Sequence, residues 1–540
     1  MDEVWPWLAS LSPPGPDTPP RSSFPLAASQ DGASIVLQAD YTSDSGGSTA
    51  ESVLIGFSLA VDSANGVAHA LWMSETFAAA SPAASRLQLL AQLLDEVIAL
   101  SPSIPSLGGR NLGPDASESK LDAEVVSAVI RATGTNGSAF FSLALLLRLF
   151  WLCALEAPAD IGYFFFQDLG VEIERALGNC TRALGVFLLS VGPDVEDGFM
   201  RSLGYMLAKW CLLREMQAPT PDVVRTPTGC LSYATEVHGL WVLKGYAPVL
   251  AMPRVSGALS TPITALPHEL PEEPALRYGL VHQQLEAVAQ LEYAVSVRDR
   301  RFISVGVRVD NIRLRVVRLG YRKKGADEAM DGERHFPSRI RLWVGPRFGS
   351  SYATGPSLGR STGNPEREVE MTRTVKGTFS GGTKLANSNG GPRAKAKMHT
   401  SARTRNRSWR WEQEAEGSAG VFEGVMCDPV TGTEVSAWRT GEAGEADPRN
   451  GMRHRYGGPG RAFSKMRGLV VAGDELPEEV TWRVGREEEG KTMRWRVGLK
   501  VWVSYLPNQV RSRHFETRCV EWAHEVELPL VSCVLSNLAV

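Results

Sequence analysis

The sequence predicts an α+β protein. A small strand-strand-helix unit and an N-terminal α-helical bundle region are followed by a large antiparallel β-sandwich or barrel region. Apolar residues recur at helical spacing up to about Met216 and alternate with period two after Pro219. The net charge also changes, from −13 over residues 1–220 to +10 over residues 221–540. This asymmetry favours two docked regions of complementary charge over two regions that serve separate partners.

The composition is that of a globular protein. The chain has 540 residues, of which 43% are hydrophobic and 22% charged, and these values exclude wholesale disorder and a fibrous fold. The seven cysteines include no Cys-x-x-Cys pair, which indicates reduced, buried thiols. The N-terminus has no basic and apolar leader, so we expect a cytoplasmic protein that is not secreted. The nucleus and the membrane periphery are the alternative locations.

Three segments make up the N-terminal half. Residues 1–30 are rich in Pro and Ser and are predicted to be a disordered tail. Residues 31–116 are predicted to form the strand-strand-helix unit and a linker, with Ser81 as the cap of the helix and Pro82 at its first position. Residues 117–220 are predicted to form a bundle of five helices, because the connections between them are short.

One segment in this bundle resembles a membrane span. Residues 139–155 (AFFSLALLLRLFWLCAL) are almost wholly apolar, but the run is 17 residues long and has Arg148 in its middle. A membrane-spanning helix needs about 20 residues, and a charge at the bilayer centre is costly. We therefore expect a buried helix with a paired arginine and no integral membrane segment, with a membrane helix as the less favoured alternative.

Residues 221–540 are predicted to be an antiparallel β region. Helical spacing fits residues 281–297 nearly as well as a strand does. In the strand that follows, the apolar positions change parity at Asn311, which indicates a β-bulge. Two runs near the C-terminus, 480–484 and 493–505, are predicted to form a hairpin. The predicted loops are residues 321–338, 380–392 and 440–460.

The most distinctive stretch is residues 393–411, which is basic, contains no acidic residue and ends in two tryptophans. Basic side chains beside aromatic platforms are what single-stranded nucleic acid or anionic lipid headgroups require. The sequence therefore yields a candidate anion-binding set: Lys376, Arg393, Lys395, Lys397, Trp409 and Trp411.

A structural interpretation of the same stretch is favoured. Alternate positions of the preceding strand hold Glu366, Glu368 and Glu370, and a Gly-, Asn- and Ser-rich turn region separates the two strands. A hairpin whose paired residue numbers sum to 773 would place these acids opposite Arg407, Arg405 and Arg403. The basic residues nearer the turn would remain for an anionic ligand.

No catalytic residues, metal ligands or cofactor sites are predicted. The sequence contains no Gly-x-Ser-x-Gly elbow, no phosphate-binding loop and no pair of histidines at metal-ligand spacing. We therefore favour a non-enzymatic binding or scaffold role with a protein partner, because Trp and Arg carry many binding hot spots. Anionic lipid or nucleic acid bound by the basic hairpin is the first alternative, and an enzyme whose site forms only in three dimensions is the second.

Four stretches of the chain are long and unusual: residues 343–345, 359–377 (GRSTGNPEREVEMTRTVKG), 408–417 (SWRWEQEAEG) and 515–530 (FETRCVEWAHEVELPL). In these stretches the chain resembles a land-plant protein family to which no activity is assigned. The resemblance covers most of the basic half and extends into the helical half. It implies no activity and no catalytic residue.

Overall fold

The structure is a computed structural model in which strand predominates: 52% of the residues that it describes lie in strands and 35% in helices. The described residues are 1, 3–11, 21–28, 32–44, 52–62, 68–79, 81–101, 121, 123–134, 137–157, 162, 165–166, 168–217, 231–249, 252, 282–297, 301–319, 334–347, 353–362, 368–377, 396–405, 409–427, 434, 469–472, 476–506 and 517–531.

A four-stranded antiparallel sheet opens the fold. Its strands pair in chain order: β1 (Arg21–Ala28), β2 (Ser34–Asp44), β3 (Ser52–Asp62) and β4 (Ala68–Ala78). The sequence predicts only two of these strands. It also predicts a disordered tail over residues 1–30, whereas the structure has β1 and helix α1 (Val4–Ser10) there. Val4 and Leu8 are buried in the core, so this first helix is held by packing and not by helix propensity.

Five longer helices follow, but they do not form the predicted N-terminal bundle. They are α2 (Pro82–Ala99), α3 (Ala123–Thr133), α4 (Gly137–Leu155), α5 (Gly170–Ser190) and α6 (Pro193–Gln217). Their apolar side chains share one core with the four-stranded sheet, and this core continues to Tyr233 and Tyr246 of the β region. The prediction of a separate bundle is therefore wrong. A sheet with one apolar face has to be covered, and here the helices cover it.

Helix α2 begins, and helix α4 packs, as the sequence predicts. The Ser81 hydroxyl accepts a hydrogen bond from the Ala84 amide at 3.4 Å, which caps α2. Arg148 of α4 is buried, and its Nε lies 2.6 Å from the Glu96 carboxylate on α2. Among the described residues, α4 is long and apolar enough to cross a membrane, but 89% of its apolar window is buried inside the protein. Enclosure by other helices accounts for a helix that is apolar on all sides.

After the helices, the described residues include two further large antiparallel sheets. The seven-stranded sheet contains β5 (Leu231–Val237), β6 (Leu240–Pro248), β7 (His282–Ser296), β8 (Phe302–Leu319), β10 (Ala353–Ser357), β15 (Leu469–Ala472) and β16 (Val480–Gly485). The five-stranded sheet contains β9 (Arg334–Pro346), β13 (Trp409–Glu416), β14 (Ala419–Met426), β17 (Thr492–Leu506) and β18 (Thr517–Pro529). Their inner faces enclose a single apolar core, as in a β-sandwich.

Glycines make room for tryptophans within these sheets. Gly498 pairs with Trp343 on the adjacent strand, and a Cβ atom at position 498 would lie 1.9 Å from the indole ring. Gly424 pairs with Trp411 in the same way, with a distance of 2.8 Å. A large ring can lie flat across a neighbouring strand only where that strand carries no side chain. These pairs account for part of the high Gly and Trp content of the β region.

Two strand predictions are confirmed and one is wrong. Residues 281–297 contain the strand β7, and the register between β7 and β8 shifts next to Asn311, where the bulge is predicted. The predicted hairpin of runs 480–484 and 493–505 does not exist. Strand β16 pairs with β8 and β10, whereas β17 pairs with β9 and β18 in the other sheet. Alternation identifies a strand but not its partner, so it cannot show that the chain crosses between sheets here.

The predicted loops have mixed outcomes. Strand β9 begins at Arg334, inside the predicted loop 321–338. The predicted loops 380–392 and 440–460 lie outside the described residues.

Candidate functional site

The candidate site is a hairpin that pairs with no other strand in the described part of the chain. Strands β11 (Glu368–Gly377) and β12 (Ala396–Arg405) form a separate two-stranded antiparallel sheet. Glu368 pairs with Arg405 and Glu370 with Arg403, so the predicted register is confirmed. The third predicted pair, Glu366 and Arg407, lies outside the described residues.

The charged pairs are at one end of the hairpin and a pair of lysines is at the other. Lys376 lies directly opposite Lys397, at the other end of the strand pair from Glu368 and Arg405. Two other predicted anion-binding residues, Arg393 and Lys395, lie outside the described residues.

The register also divides the hairpin into two faces of different chemistry. Successive residues of a strand alternate between its faces, and directly paired residues share a face. One face has the charged pairs at one end, Thr372 opposite Ser401 in its middle, and the two lysines at the other end. The other face is mainly apolar or small, with Arg373 as its charged position: Val369, Met371, Arg373, Val375, Ala396, Met398, Thr400, Ala402 and Thr404.

The two tryptophans predicted as aromatic platforms are not available to a ligand. Trp409 and Trp411 lie on β13, where their exposed fractions are 1% and 0%. Their ring centroids are 6.3 Å apart, and both rings belong to the sandwich core. Alternation along β13 turns both residues inward, because positions 409 and 411 share a face. The prediction that they contact an anionic ligand is therefore wrong.

The chain just before the hairpin is fixed to the sandwich. The Thr362 amide donates to the Trp411 carbonyl at 3.0 Å, and the Trp411 amide donates to the Thr362 hydroxyl at 2.9 Å. The Gln413 amide donates to the Ser361 hydroxyl at 2.9 Å. These bonds extend the edge of the five-stranded sheet up to residue 362, so the hairpin is attached next to a rigid element.

Apart from the hairpin, a buried polar cluster lies where the helices meet the seven-stranded sheet. Glu196 on α6 is 3% exposed, and its carboxylate accepts hydrogen bonds from the hydroxyls of Tyr233 and Tyr246. Lys244 Nζ lies 2.6 Å from the same carboxylate. Burial and the bonds to Glu196 raise the pKa of both tyrosines above its ordinary value. The cluster joins the helices to the sheet and is enclosed by them.

Sequence reasoning did not find this cluster, and no local signal marks it. Its members lie on three elements that are distant in sequence, α6, β5 and β6. The apolar face of the hairpin, in contrast, has a local signal in the sequence. Val, Met and Val at positions 369, 371 and 375 alternate with polar residues.

The buried cysteines do not have the properties of nucleophiles. Burial raises the pKa of Cys153 to about 12 and that of Cys180 to about 12. A thiol with so high a pKa is almost wholly protonated at neutral pH, and the thiolate is the reactive form. Among the described residues no group of three or more His, Cys, Asp or Glu side chains could hold a metal ion.

Comparison with known proteins identifies no relative by sequence. No protein-family model matches the chain, and no curated protein does. Among solved structures, Clostridium perfringens delta-toxin matches with a TM-score of 0.22 and 10% identity, covering 55% of this chain and 96% of the toxin. The membrane-inserted form of the Clostridium perfringens NetB toxin matches with a TM-score of 0.19 and 6% identity, covering 55% and 94%. TM-scores this low do not define a shared fold.

Proposed function

We propose that this chain is a non-enzymatic binding protein that attaches to anionic membrane surfaces through the β11–β12 hairpin. The observation that carries the proposal is the register of the hairpin. It pairs Lys376 with Lys397 at one end of the two strands and gives the strand pair one mainly apolar face. Cations beside an apolar surface are the combination that an anionic lipid interface attracts. The cytoplasmic membrane periphery is the location that agrees with this proposal.

Two other ligand classes have weaker support. Single-stranded nucleic acid needs aromatic side chains on which bases can stack, and Trp409 and Trp411 are buried. A protein partner is favoured in the sequence by the abundance of Trp and Arg, but Trp241, Trp482 and Trp495 also lie in the sandwich core. Packing of the core therefore explains the abundance of tryptophan better than binding of a protein partner does.

The test is flotation of the full chain with liposomes. Vesicles of phosphatidylserine and phosphatidylcholine should carry the protein upward, whereas vesicles of phosphatidylcholine alone should not. A lysine near an anionic surface contributes about 1 kcal/mol, so reversal of both charges should weaken binding by at least about 2 kcal/mol, roughly thirtyfold or more. The variant is Lys376→Glu with Lys397→Glu. Salt at about 1 M should release the protein, because the Debye length falls to about 3 Å.

A matched control changes the same amount of charge elsewhere. Arg360 and Arg483 are exposed residues of the seven-stranded sheet and the segment next to it. Replacing both with Glu should leave flotation close to that of the unmodified chain. Equal loss in the two double variants would show that only net charge matters and would contradict the proposal. Salt-sensitive binding of single-stranded RNA without flotation would show that the ligand is nucleic acid and not lipid.

A further inference from the structure

The outer face of the five-stranded sheet, which points away from the sandwich core, contains an apolar row of residues. Trp343 pairs with Gly498, and Gly498 pairs with Ala523, so the row crosses strands β9, β17 and β18. Directly paired residues share a face, and the neighbours Leu342 and Val497 belong to the core, so the row faces outward. These three residues form a floor without a charged side chain.

The indole ring of Trp343 lies flat on this floor. A Cβ atom at position 498 would lie 1.9 Å from the ring, so the ring covers the backbone of Gly498. Trp343 is half-buried, with one ring face against the strand and the other face directed away from the sheet. Ala523, at the end of the row, is small and exposed. A flat aromatic surface beside a small exposed residue leaves room for a ligand ring to stack on it.

Charged rows lie on both sides of the floor. On one side Arg341 pairs with Lys500, which pairs with Glu521. On the other side Arg496 pairs with Glu525. The two rows are four residues apart along the strands, which is about 13 Å. This width leaves room for one six-membered ring that forms hydrogen bonds along both of its edges.

A depression adjoins the floor at Ala523. Its volume is about 330 Å³, at the lower end of the range of about 300–1,000 Å³ for small-ligand sites. Its lining is mainly polar and consists of Arg347, Arg496, Ala523, His524 and Glu525. A ligand chain that stacks on Trp343 would continue into this depression.

The charges around the floor favour an uncharged ligand. Three of the cations have carboxylate partners: Lys500 with Glu521 at 3.3 Å, Arg347 with Glu525 at 3.3 Å, and Arg341 with Glu416. A phosphate group would have to compete with these carboxylates for the cations. A hydroxyl group both donates and accepts hydrogen bonds, so it fits beside either charge.

We infer that the row of Trp343, Gly498 and Ala523 is the floor of a carbohydrate-binding site whose ligand is a flat, uncharged chain of β-linked glucose. A β-linked glucose ring has C–H groups on its two faces and hydroxyl groups around its edge. One C–H face stacks on the indole, and the edge hydroxyls reach Lys500 on one side and Arg496 on the other. The β11–β12 hairpin takes no part in this site, so the inference goes beyond the proposed function and does not depend on it.

The experiment measures binding of cellohexaose to the full chain by isothermal titration calorimetry. Trp343→Ala removes the stacking surface and should weaken binding by at least about tenfold. Ala523→Gln should weaken binding to a similar extent, because the longer side chain obstructs the floor. Position 523 is exposed, so this second variant keeps the core intact and tests the site even where Trp343→Ala does not fold.

The matched control is Trp502→Ala, a half-buried tryptophan on the same face of the same sheet. Its ring already contacts two cations, since Arg339 Cζ lies 5.0 Å and Lys500 Nζ 5.3 Å from the ring centre. This variant should bind cellohexaose within about twofold of the unmodified chain. Because the ligand is uncharged, the affinity should also be the same in about 0.1 M and about 1 M salt.

Four results would overturn the inference. The first is no binding of cellohexaose by the unmodified chain, and the second is an equal loss in Trp343→Ala and Trp502→Ala. The third is equal affinity for maltohexaose, whose α-linked chain is curved and does not lie flat on the ring. The fourth is binding of single-stranded RNA in place of cellohexaose, with loss in Trp343→Ala, because the ring would then stack on bases.

A further variant separates this inference from the proposed function. Lys376→Glu with Lys397→Glu should lose flotation with anionic vesicles and bind cellohexaose as the unmodified chain does. Trp343→Ala should show the opposite pattern. Loss of both activities in either variant would contradict the separation of the two sites.

Discussion

The junction between the helices and the seven-stranded sheet depends on one buried carboxylate. Glu196 is 3% exposed and accepts hydrogen bonds from Tyr233 and Tyr246, while Lys244 lies 2.6 Å away. Replacing Glu196 with Ala leaves an ammonium group and two buried hydroxyls without their common partner. The expected loss is about 3–5 kcal/mol, which is typical of breaking a buried ion pair by removing one member. Glu196→Gln keeps an acceptor for the hydroxyls, so its cost should be smaller, about 1–3 kcal/mol.

The assay is urea denaturation followed by far-ultraviolet circular dichroism, which reports the helices. The matched control is Glu292→Gln on β7, whose carboxylate pairs with Arg308 across the same sheet. Both side chains of this pair are exposed, so its loss should cost at most about 1 kcal/mol. If Glu196→Ala were no less stable than Glu292→Gln, the carboxylate would not hold the helices to the sheet, and the reasoning would be refuted.

Three further predictions test packing and titration. Gly498→Ala should destabilise the protein by about 1–3 kcal/mol, because the new methyl group overlaps an indole ring. Its control is Gly178→Ala, at an exposed helical site with open space, which should stabilise the protein by about 0.5–1 kcal/mol. Equal effects of the two variants in thermal denaturation would show that the indole ring does not exclude a methyl group at position 498. Trp411→Ala should lower the free energy of unfolding by about 3–5 kcal/mol in urea denaturation, since the ring is wholly buried. A loss of lipid binding at unchanged stability would instead mean that the ring contacts the ligand. The pKa of Tyr233 and of Tyr246 is raised in the folded chain, so as the pH rises these two hydroxyls lose their protons first in the unfolded chain. Stability should therefore fall as the pH rises above about 10. The variant with Phe at both positions should lose less stability over this range, and an alkaline profile identical to that of the unmodified chain would exclude the two tyrosines as the cause.

Features that depend on neighbouring residues could be predicted from the sequence. The cap of α2 at Ser81, the burial of α4 and the bulge next to Asn311 follow from residue types within a few positions. The register of the hairpin is also local, because two short strands that are close together in the sequence have few alternative pairings. Its charge pairs, such as Glu370 with Arg403, select one of them.

Features that depend on distant contacts could not be predicted. The runs that form β16 and β17 are adjacent in the sequence and alternate as a hairpin would, yet they belong to different sheets. The helices pack against the four-stranded sheet because both have apolar faces to bury, and periodicity does not show which face covers which. Trp409 and Trp411 fit a ligand platform in the sequence and a sandwich core in the structure.

The sequence by itself determined the cap of α2, the burial of α4, the bulge next to Asn311 and the charge pairs of the β11–β12 hairpin. Each of these is set by residue types a few positions apart. Only the tertiary structure decided that the hairpin pairs with no other described strand, that both tryptophans after it are buried, and that Glu196 joins the helices to the sheet. Those outcomes depend on which apolar surfaces meet, and that is settled by the packing of the whole chain.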